Sequence, residues 1–264
     1  MYVGYETLAI SRAGRVLTVM LNRPEVRNAT NALMHQELVR VFGEIRTDAE
    51  TNVVILTGAG DKAFSAGGDI ETMRKSFVDQ ARWAESMGEA RAILEGVIAL
   101  EQPVIARVNG DAYGLGATLA LFCDIIIAVE DARFADPHVK IGLVAGDGGS
   151  IIWPLLAGSA KAKRYLLTGD PIGAVEAAEI GLISEATPRE KLDECVNALA
   201  ARLADGATVA IRGTKKAVNM ALRQQFETMI EGHLGLETLS HLSTDHLEAI
   251  EAFAERRPPK FQGR

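Results

Sequence analysis

The sequence predicts an α/β protein, with a core of alternating strands and helices over residues 1–200 and a helical C-terminal subdomain over 201–264. Three observations carry that expectation. Val53 to Thr57, Val104 to Val108 and Ile125 to Val129 are continuous apolar runs of strand length, the pattern of strands buried on both faces. The first two run into glycine-bearing turns before a helical pattern resumes. From Thr208 onward strand patterns stop, and leucines such as Leu234, Leu239, Leu242 and Leu247, with Ile250 and Phe253, recur at mixed three- and four-residue spacing.

Taken in order, Thr7 to Ser11 and Arg15 to Leu21 are β-prone and flank Ala13-Gly14, which predicts a hairpin. Asn31 is suited to cap a helix over Ala32 to Arg46, with Leu33, Leu38, Val41, Phe42 and Ile45 on its apolar side. The strand Val53 to Thr57 leads to Gly58-Ala59-Gly60 and then to the second turn KAFSAGGDI, residues 62–70. Residues 71–101 form a helical pattern with Met73, Phe77, Trp83, Ile93, Leu94, Val97 and Ile98 as buried positions. After Ile125 to Val129, a short strand is expected at Arg133-Phe134, then a glycine-rich loop, DPHVKIGLVAGDGGS (136–150), carrying His138 and Asp147. Helices follow at Ile151 to Leu156, Ala160 to Thr168 and Ala174 to Ile180, a short strand at Ile183 to Glu185, and a helix at Lys191 to Ala204. Arg256-Arg257-Pro258-Pro259-Lys260 cannot prolong the last helix.

Composition narrows the function classes. Of 264 residues 48% are hydrophobic and 24% charged, enough for a folded core. The net charge of −7 argues against a nucleic-acid partner. Cys123 and Cys195 have no metal-type spacing and read as reduced core thiols. Met1 to Ile10 contains Glu6 and lacks the pattern of a signal peptide, and no apolar run approaches the ~20 residues of a membrane span. The expected compartment is the cytoplasm.

The stretch PVIARVNGDAYGLGATLALFCD, residues 103–124, organises the rest. A buried strand ends at Asn109-Gly110, and Gly114-Leu115-Gly116 opens a buried helix over Ala117 to Cys123. A glycine turn into a helix leaves backbone N–H groups without internal acceptors, and those donors suit a negative charge.

In this order and spacing, the segments NRPEVRNATN (22–31), VVILTGAGDKAFSAGGDI (53–70), PVIARVNGDAYGLGATLALFCDIIIA (103–128), LLTGDPIGAVEAAEIGLIS (166–184) and FAERRPPKF (253–261) resemble the crotonase superfamily, the enoyl-CoA hydratase/isomerase family. The resemblance implies a crotonase-like spiral of ββα units with a helical C-terminal trimerisation region, assembled as a homotrimer or homohexamer. It implies an acyl-CoA thioester as the substrate, with coenzyme A entering as part of that substrate and no separate cofactor or metal. The backbone N–H groups of Gly68 and Leu115 would hold the thioester oxygen as negative charge builds on it. One such donor is worth about 3 kcal/mol. Main chain around Val26, Arg27, Ala66 and Ile70 would contact coenzyme A, and Arg23, Arg27 and Lys260 would meet its phosphates.

The sequence departs from the hydratase pattern at the acids. A family hydratase adds water with two glutamates, and the matching positions here hold Thr118 and His138. A threonine hydroxyl is no base at neutral pH. His138 and, nine residues on, Asp147 resemble instead the β-diketone hydrolase branch, the oxocamphor hydrolase type, through Pro137-His138, Gly142-Leu143-Val144, Gly146-Asp147-Gly148 and Trp153-Pro154. A carboxylate orients an imidazole and stabilises its cation, which makes His138 the principal acid/base. The plainer reading packs His138 as a neutral side chain and makes Asp147 a helix cap. Asp69 reads as structural and Glu71 as a spare acid.

Four other functions compete. Cleavage of a C–C bond in a β-diketone or 3-oxoacyl substrate fits the His/Asp pair. A non-catalytic CoA-binding protein of the same fold fits the missing glutamates. A dinucleotide site is opposed by Leu119, which stands where the third glycine belongs. A serine hydrolase using Ser65 or Ser150 lacks the G-x-S-x-G elbow.

Overall fold

The computed structural model describes residues 1–69 and 79–264. The chain runs β1 (Leu8–Ala13), β2 (Val16–Leu21), α1 (Ala32–Arg46), β3 (Val53–Gly58), β4 (Ala63–Ser65), α2 (Gln80–Ala99), β5 (Val104–Val108), β6 (Asp111–Tyr113) and α3 (Leu115–Leu121). It continues with β7 (Ile125–Val129), β8 (Arg133–Ala135), α4 (Gly149–Ala157), α5 (Ser159–Leu166), β9 (Ile172–Gly173), α6 (Ala174–Glu179), β10 (Glu185–Thr187), α7 (Leu192–Ala204), α8 (Thr208–His241) and α9 (Thr244–Ala254). The long strands and the helices follow the expected order; the short strand expected at Ile183 to Glu185 lies instead at Glu185–Thr187, and β4, β6 and β9 have no strand pattern in the sequence.

Those short strands explain the architecture. One sheet has the order β1-β2-β3-β5-β7-β10, and a second has β4-β6-β8-β9. Each pass of the chain places a long strand in the first sheet and a short one in the second: β3 then β4, β5 then β6, β7 then β8. All those neighbours pair in parallel, so each pass must return across the molecule before the next begins. The result is a spiral of strand–strand–helix units, mixed α/β with a helical C-terminal region. The β1–β2 hairpin is antiparallel and turns at Gly14, while β2 pairs in parallel with β3.

The core lies between the first sheet and the helices. Every residue of β3 is buried, as a central parallel strand requires. Leu38, Val41, Phe42 and Ile45 of α1 and Trp83, Ile93, Leu94, Val97 and Ile98 of α2 are buried as their spacing predicts. Leu33 departs from the expectation and faces outward; Met34 takes the buried place in that first turn. Met73 and Phe77 lie outside the described residues. Helix α8 turns Phe226, Ile230 and Leu234 inward, whereas Leu236, Leu239 and Leu242 remain exposed on its outer side and just beyond its end.

One local feature positions the site. Thr30 forms an isolated parallel bridge with Gly68: its N–H donates to Gly67 O at 2.8 Å, and Asp69 N–H donates back to Thr30 O at 3.0 Å. Asn31 then caps α1, its side-chain oxygen accepting from Met34 N–H at 3.0 Å. The start of α1 is therefore fastened to the turn that carries Gly68. Asn31→Ala removes that cap and is expected to lower stability by about 1 kcal/mol in urea denaturation.

Candidate active site

Two backbone bends meet at the centre of the molecule. The first follows β4 and contains Ala66, Gly67 and Gly68; the second joins β6 to α3 and contains Gly114 and Leu115. A Cβ on Gly67 would stand 2.6 Å from Tyr113 O, and φ at Gly67 is +83°, so only glycine lets the two bends touch. Gly114 has φ +51° and lies 3.8 Å, by its Cβ position, from the Gly67 Cα. Gly114 N–H is engaged by Ala135 O at 2.9 Å, Gly67 N–H by Ser65 Oγ at 3.2 Å and Ala66 N–H by Arg27 O at 2.9 Å. The N–H groups of Gly68 and Leu115 have no acceptor among the described residues. Helix α3 spans only seven residues, so these individual donors matter more than a helix dipole.

Both residues line a cavity of about 200 Å³. Trp83, Met87, Ala90, Ile141, Leu143 and Ile250 form its apolar wall. Trp83 is held there by a hydrogen bond to Thr238 Oγ1 at 3.0 Å and by a parallel stack on His241, with ring centres 3.7 Å apart. His138, Asp147 and Glu237 also line the cavity. The His138 ring is close to the second bend, its Cε1 standing 4.0 Å from the Cβ position of Gly114.

His138 opens a short helical turn over residues His138–Ile141 and is buried. Its Nδ1–H donates to Asp136 Oδ1, which fixes the ring and leaves Nε2 facing two more carboxyls. Asp147 Oδ2 lies 3.7 Å from Nε2 and Glu237 Oε1 lies 3.9 Å from it. Burial alone would lower the His138 pKa, but the surrounding Asp136, Asp147 and Glu237 carboxyls carry it well above 6.5, so the ring is a cation at neutral pH. Burial raises Asp147, against the pull of the His138 charge. Burial and the nearby Asp147 push Glu237 up to about 8, so it is a neutral acid at pH 7.

The expected pair therefore meets, within a larger group. Asp136, not Asp147, orients the imidazole; an aspartate two residues before the histidine was the available signal. Glu237 was missed, yet it breaks the inward stripe Phe226, Ile230, Leu234, Glu237, His241 at helical spacing. Asp147 precedes the N-cap Gly148 of α4, which has no side-chain cap, while the Gly149 N–H helps to lower the Asp147 pKa. Asp136, His138 and Asp147 each offer one donor atom within 4.8 Å of the others.

The remaining expected residues fall into three groups. Ala66 lines the cavity and is tied to Arg27, with Val26 beside it and exposed. Lys260 is exposed on the tail that folds against α9 and does not line the cavity. Ile70 and Glu71 lie outside the described residues. Arg23 is engaged internally, donating to Ala29 O at 2.6 Å and pairing with Asp69 at 3.4 Å. Thr118 is buried, its methyl 3.0 Å from the Cβ position of Gly148, and it does not line the cavity. Ser65 is fully buried and its hydroxyl donates to Asn28 O at 2.8 Å, a structural bond rather than a nucleophile's setting.

Comparison with known proteins gives a consistent result. Residues 11–264 match the family model described as enoyl-CoA hydratase/isomerase. A short-chain-enoyl-CoA hydratase of Clostridium acetobutylicum is 36% identical over 256 residues, which is 96% of each chain. A 2,3-dehydroadipyl-CoA hydratase of Escherichia coli is 34% identical over 97% of this chain and 99% of its own. The crystal structure of an enoyl-CoA hydratase/isomerase from Mycobacterium paratuberculosis superposes with a TM-score of 0.88 at 33% identity, covering 93% of this chain and 97% of that one.

A proton held by Glu237 in the fold, but lost from the unfolded chain above pH 4.5, favours the folded state. That contribution is complete below pH 4.5 and disappears as pH rises through about 8. The raised His138 pKa acts in the same direction. Thermal melts should therefore show stability falling from about pH 4.5 through pH 8, and Glu237→Gln should flatten that fall.

Proposed function

The chain belongs to the enoyl-CoA hydratase/isomerase family, and from that premise we propose that it turns over an acyl-CoA thioester through an enolate held by the Gly68 and Leu115 amides. The observation that carries the reading is the pair of unengaged N–H groups facing one cavity with a buried imidazolium. An enolate oxygen in a dry pocket needs donors aimed at it before the charge forms. The relatives named as hydratases of short-chain enoyl-CoA and of 2,3-dehydroadipyl-CoA support a hydratase-type reaction.

For hydration, the acids divide as their pKa values separate them. Asp147 takes a proton from water, and the hydroxide oxygen bonds to the β-carbon. The electron pair of the double bond moves to the thioester oxygen, between the two amides. The His138 Nε2–H then gives its proton to the α-carbon as the enolate collapses. The proton on Asp147 returns to Nε2 across 3.7 Å, restoring the starting state. Glu237, neutral, adds no second negative charge beside the base. Asp136 keeps the ring from turning while Nε2 is briefly unprotonated.

Thr118 favours a second reading, because its tucked hydroxyl leaves no second glutamate at the position a family hydratase uses. In that reading the substrate is a β-diketone or 3-oxoacyl compound. Water deprotonated by Asp147 adds to the distal carbonyl, the C–C bond breaks, and the departing pair becomes an enolate at the same amides. His138 protonates its carbon. The ββα spiral with exposed Leu236, Leu239 and Leu242 on the C-terminal helices also suits a homotrimer or a hexamer of paired trimers. Coenzyme A is part of the substrate, with Arg27, Ala66 and Lys260 at its binding edge.

Incubation with enoyl-CoAs, 3-oxoacyl-CoAs and cyclic diketones, followed by mass spectrometry, separates the two: hydration adds 18 Da to an intact thioester, whereas hydrolysis yields a cleaved acid. His138→Ala and Asp147→Ala should each lower kcat by at least about 10²-fold with the fold intact. Turnover unchanged in both variants would remove the pair from the mechanism, and binding without turnover on every substrate would leave a non-catalytic CoA-binding protein.

A further inference from the structure

Three of the chain's five histidines, His35, His138 and His246, line this cavity, and His35 has no part in the reaction described above. His35 lies on α1, one turn beyond Asn31, with its N–H donating to Asn31 O at 3.0 Å. The Thr30–Gly68 bridge fixes that turn against the first bend, so the place of His35 relative to the oxyanion amides is set by backbone. The residue is buried, 8% exposed, and lines the cavity.

One edge of the ring faces an acid. Nδ1 lies 3.4 Å from Glu89 Oε2 on α2. Glu89 is itself clasped by Gln36 Nε2 at 3.3 Å and Arg82 Nη2 at 3.4 Å, so it is a fixed anchor rather than a free surface carboxylate. The other ring nitrogen, Nε2, is buried with no hydrogen-bond partner among the described residues. Asp147 Oδ1, lining the same cavity, is likewise buried without one. An unmet imidazole nitrogen and an unmet carboxylate oxygen in one apolar enclosure are both costly, and each complements the other through one bridging water.

We infer that His35 is a positioning residue that holds Asp147 as the ionised base of this site. This rests on the acyl-CoA reading above. The carboxyls and imidazoles alternate as Asp136, His138, Asp147, His35 and Glu89, from the buried centre towards the α2 surface. The charged groups facing Asp147 are Asp136 and His138 of its own loop, Glu237 of α8 and His35 of α1. Those facing His35 are Asp147 and Glu89, with Arg82 behind Glu89. Burial raises Asp147 most, Asp136 adds to that rise, and His35 stands with His138 on the opposing side.

The test compares the wild type with His35→Gln and Glu89→Gln in two measurements. In ligand-free protein, the Asp147 carboxyl is titrated by carbon-13 NMR. In turnover of an acyl-CoA, kcat/KM is followed from pH 5.5 to 8. His35→Gln should raise the carboxyl midpoint and the acid limb of the rate profile together by about one pH unit, which is roughly tenfold lower kcat/KM at pH 6 and a near-normal rate at pH 8. Glu89→Gln, which keeps the imidazole but frees it to turn, should move both in the same direction by less. An unmoved carboxyl midpoint in either variant, a rate lost equally at every pH, or a change confined to KM would overturn the inference. A shifted midpoint in a protein that turns over no acyl-CoA would leave the inference standing and remove the functional reading instead.

Discussion

The contact between two glycine bends is the constraint on which the rest of the molecule depends. Gly67 presses against Tyr113 and Gly114 so closely that a single Cβ would separate them. Neighbouring amides are consumed in fixing each bend to its own surroundings, through Arg27, Ser65 and Ala135. Those of Gly68 and Leu115 are left over. The two-sheet spiral serves this arrangement, because β4 and β6 lie side by side in the second sheet and deliver both bends to one place. Donors fixed in this way need no reorganisation when charge appears, which is what makes backbone amides effective in such a role.

A second constraint is the charge held beside them. Three buried carboxyls and one imidazole share a small space, and they cannot all ionise as they would in water. The structure resolves the conflict with protons: one on His138, raised by its anionic neighbours, and one on Glu237, raised by burial and by Asp147. This leaves Asp147 as the carboxylate nearest Nε2. On the proposed reading, acid and base both come from this one cluster, and the surroundings set which group holds a proton. Gly149 protects the arrangement, since any side chain there would collide with the Asp136 carboxylate that holds the ring.

The long parallel strands, the capped α1 and the buried face of α2 were legible in the sequence because each follows from a local pattern of apolar residues. β4, β6 and β9 were not, because strands of two or three residues have no periodicity; they exist only through pairing with one another. Leu33 was misplaced for a related reason, since the first turn of α1 is oriented by the Thr30 bridge rather than by its own apolar stripe. His138 and Asp147 were legible as candidates, and the structure brings them within 3.7 Å of each other. Glu237 and His35 were not, because they arrive from helices about 100 residues downstream and upstream, and only tertiary packing sets them against the same loop. Asp136 was overlooked beside the more distant Asp147, although a local Asp–Pro–His turn closes its bond to the ring.

The most direct measurement is a crystal structure with a stable acyl-CoA analogue bound. The account predicts the thioester oxygen about 2.7–3.1 Å from the amide nitrogens of both Gly68 and Leu115, with the reacting carbon facing His138 Nε2. A thioester bound elsewhere, or with its oxygen turned away from either amide, would contradict it.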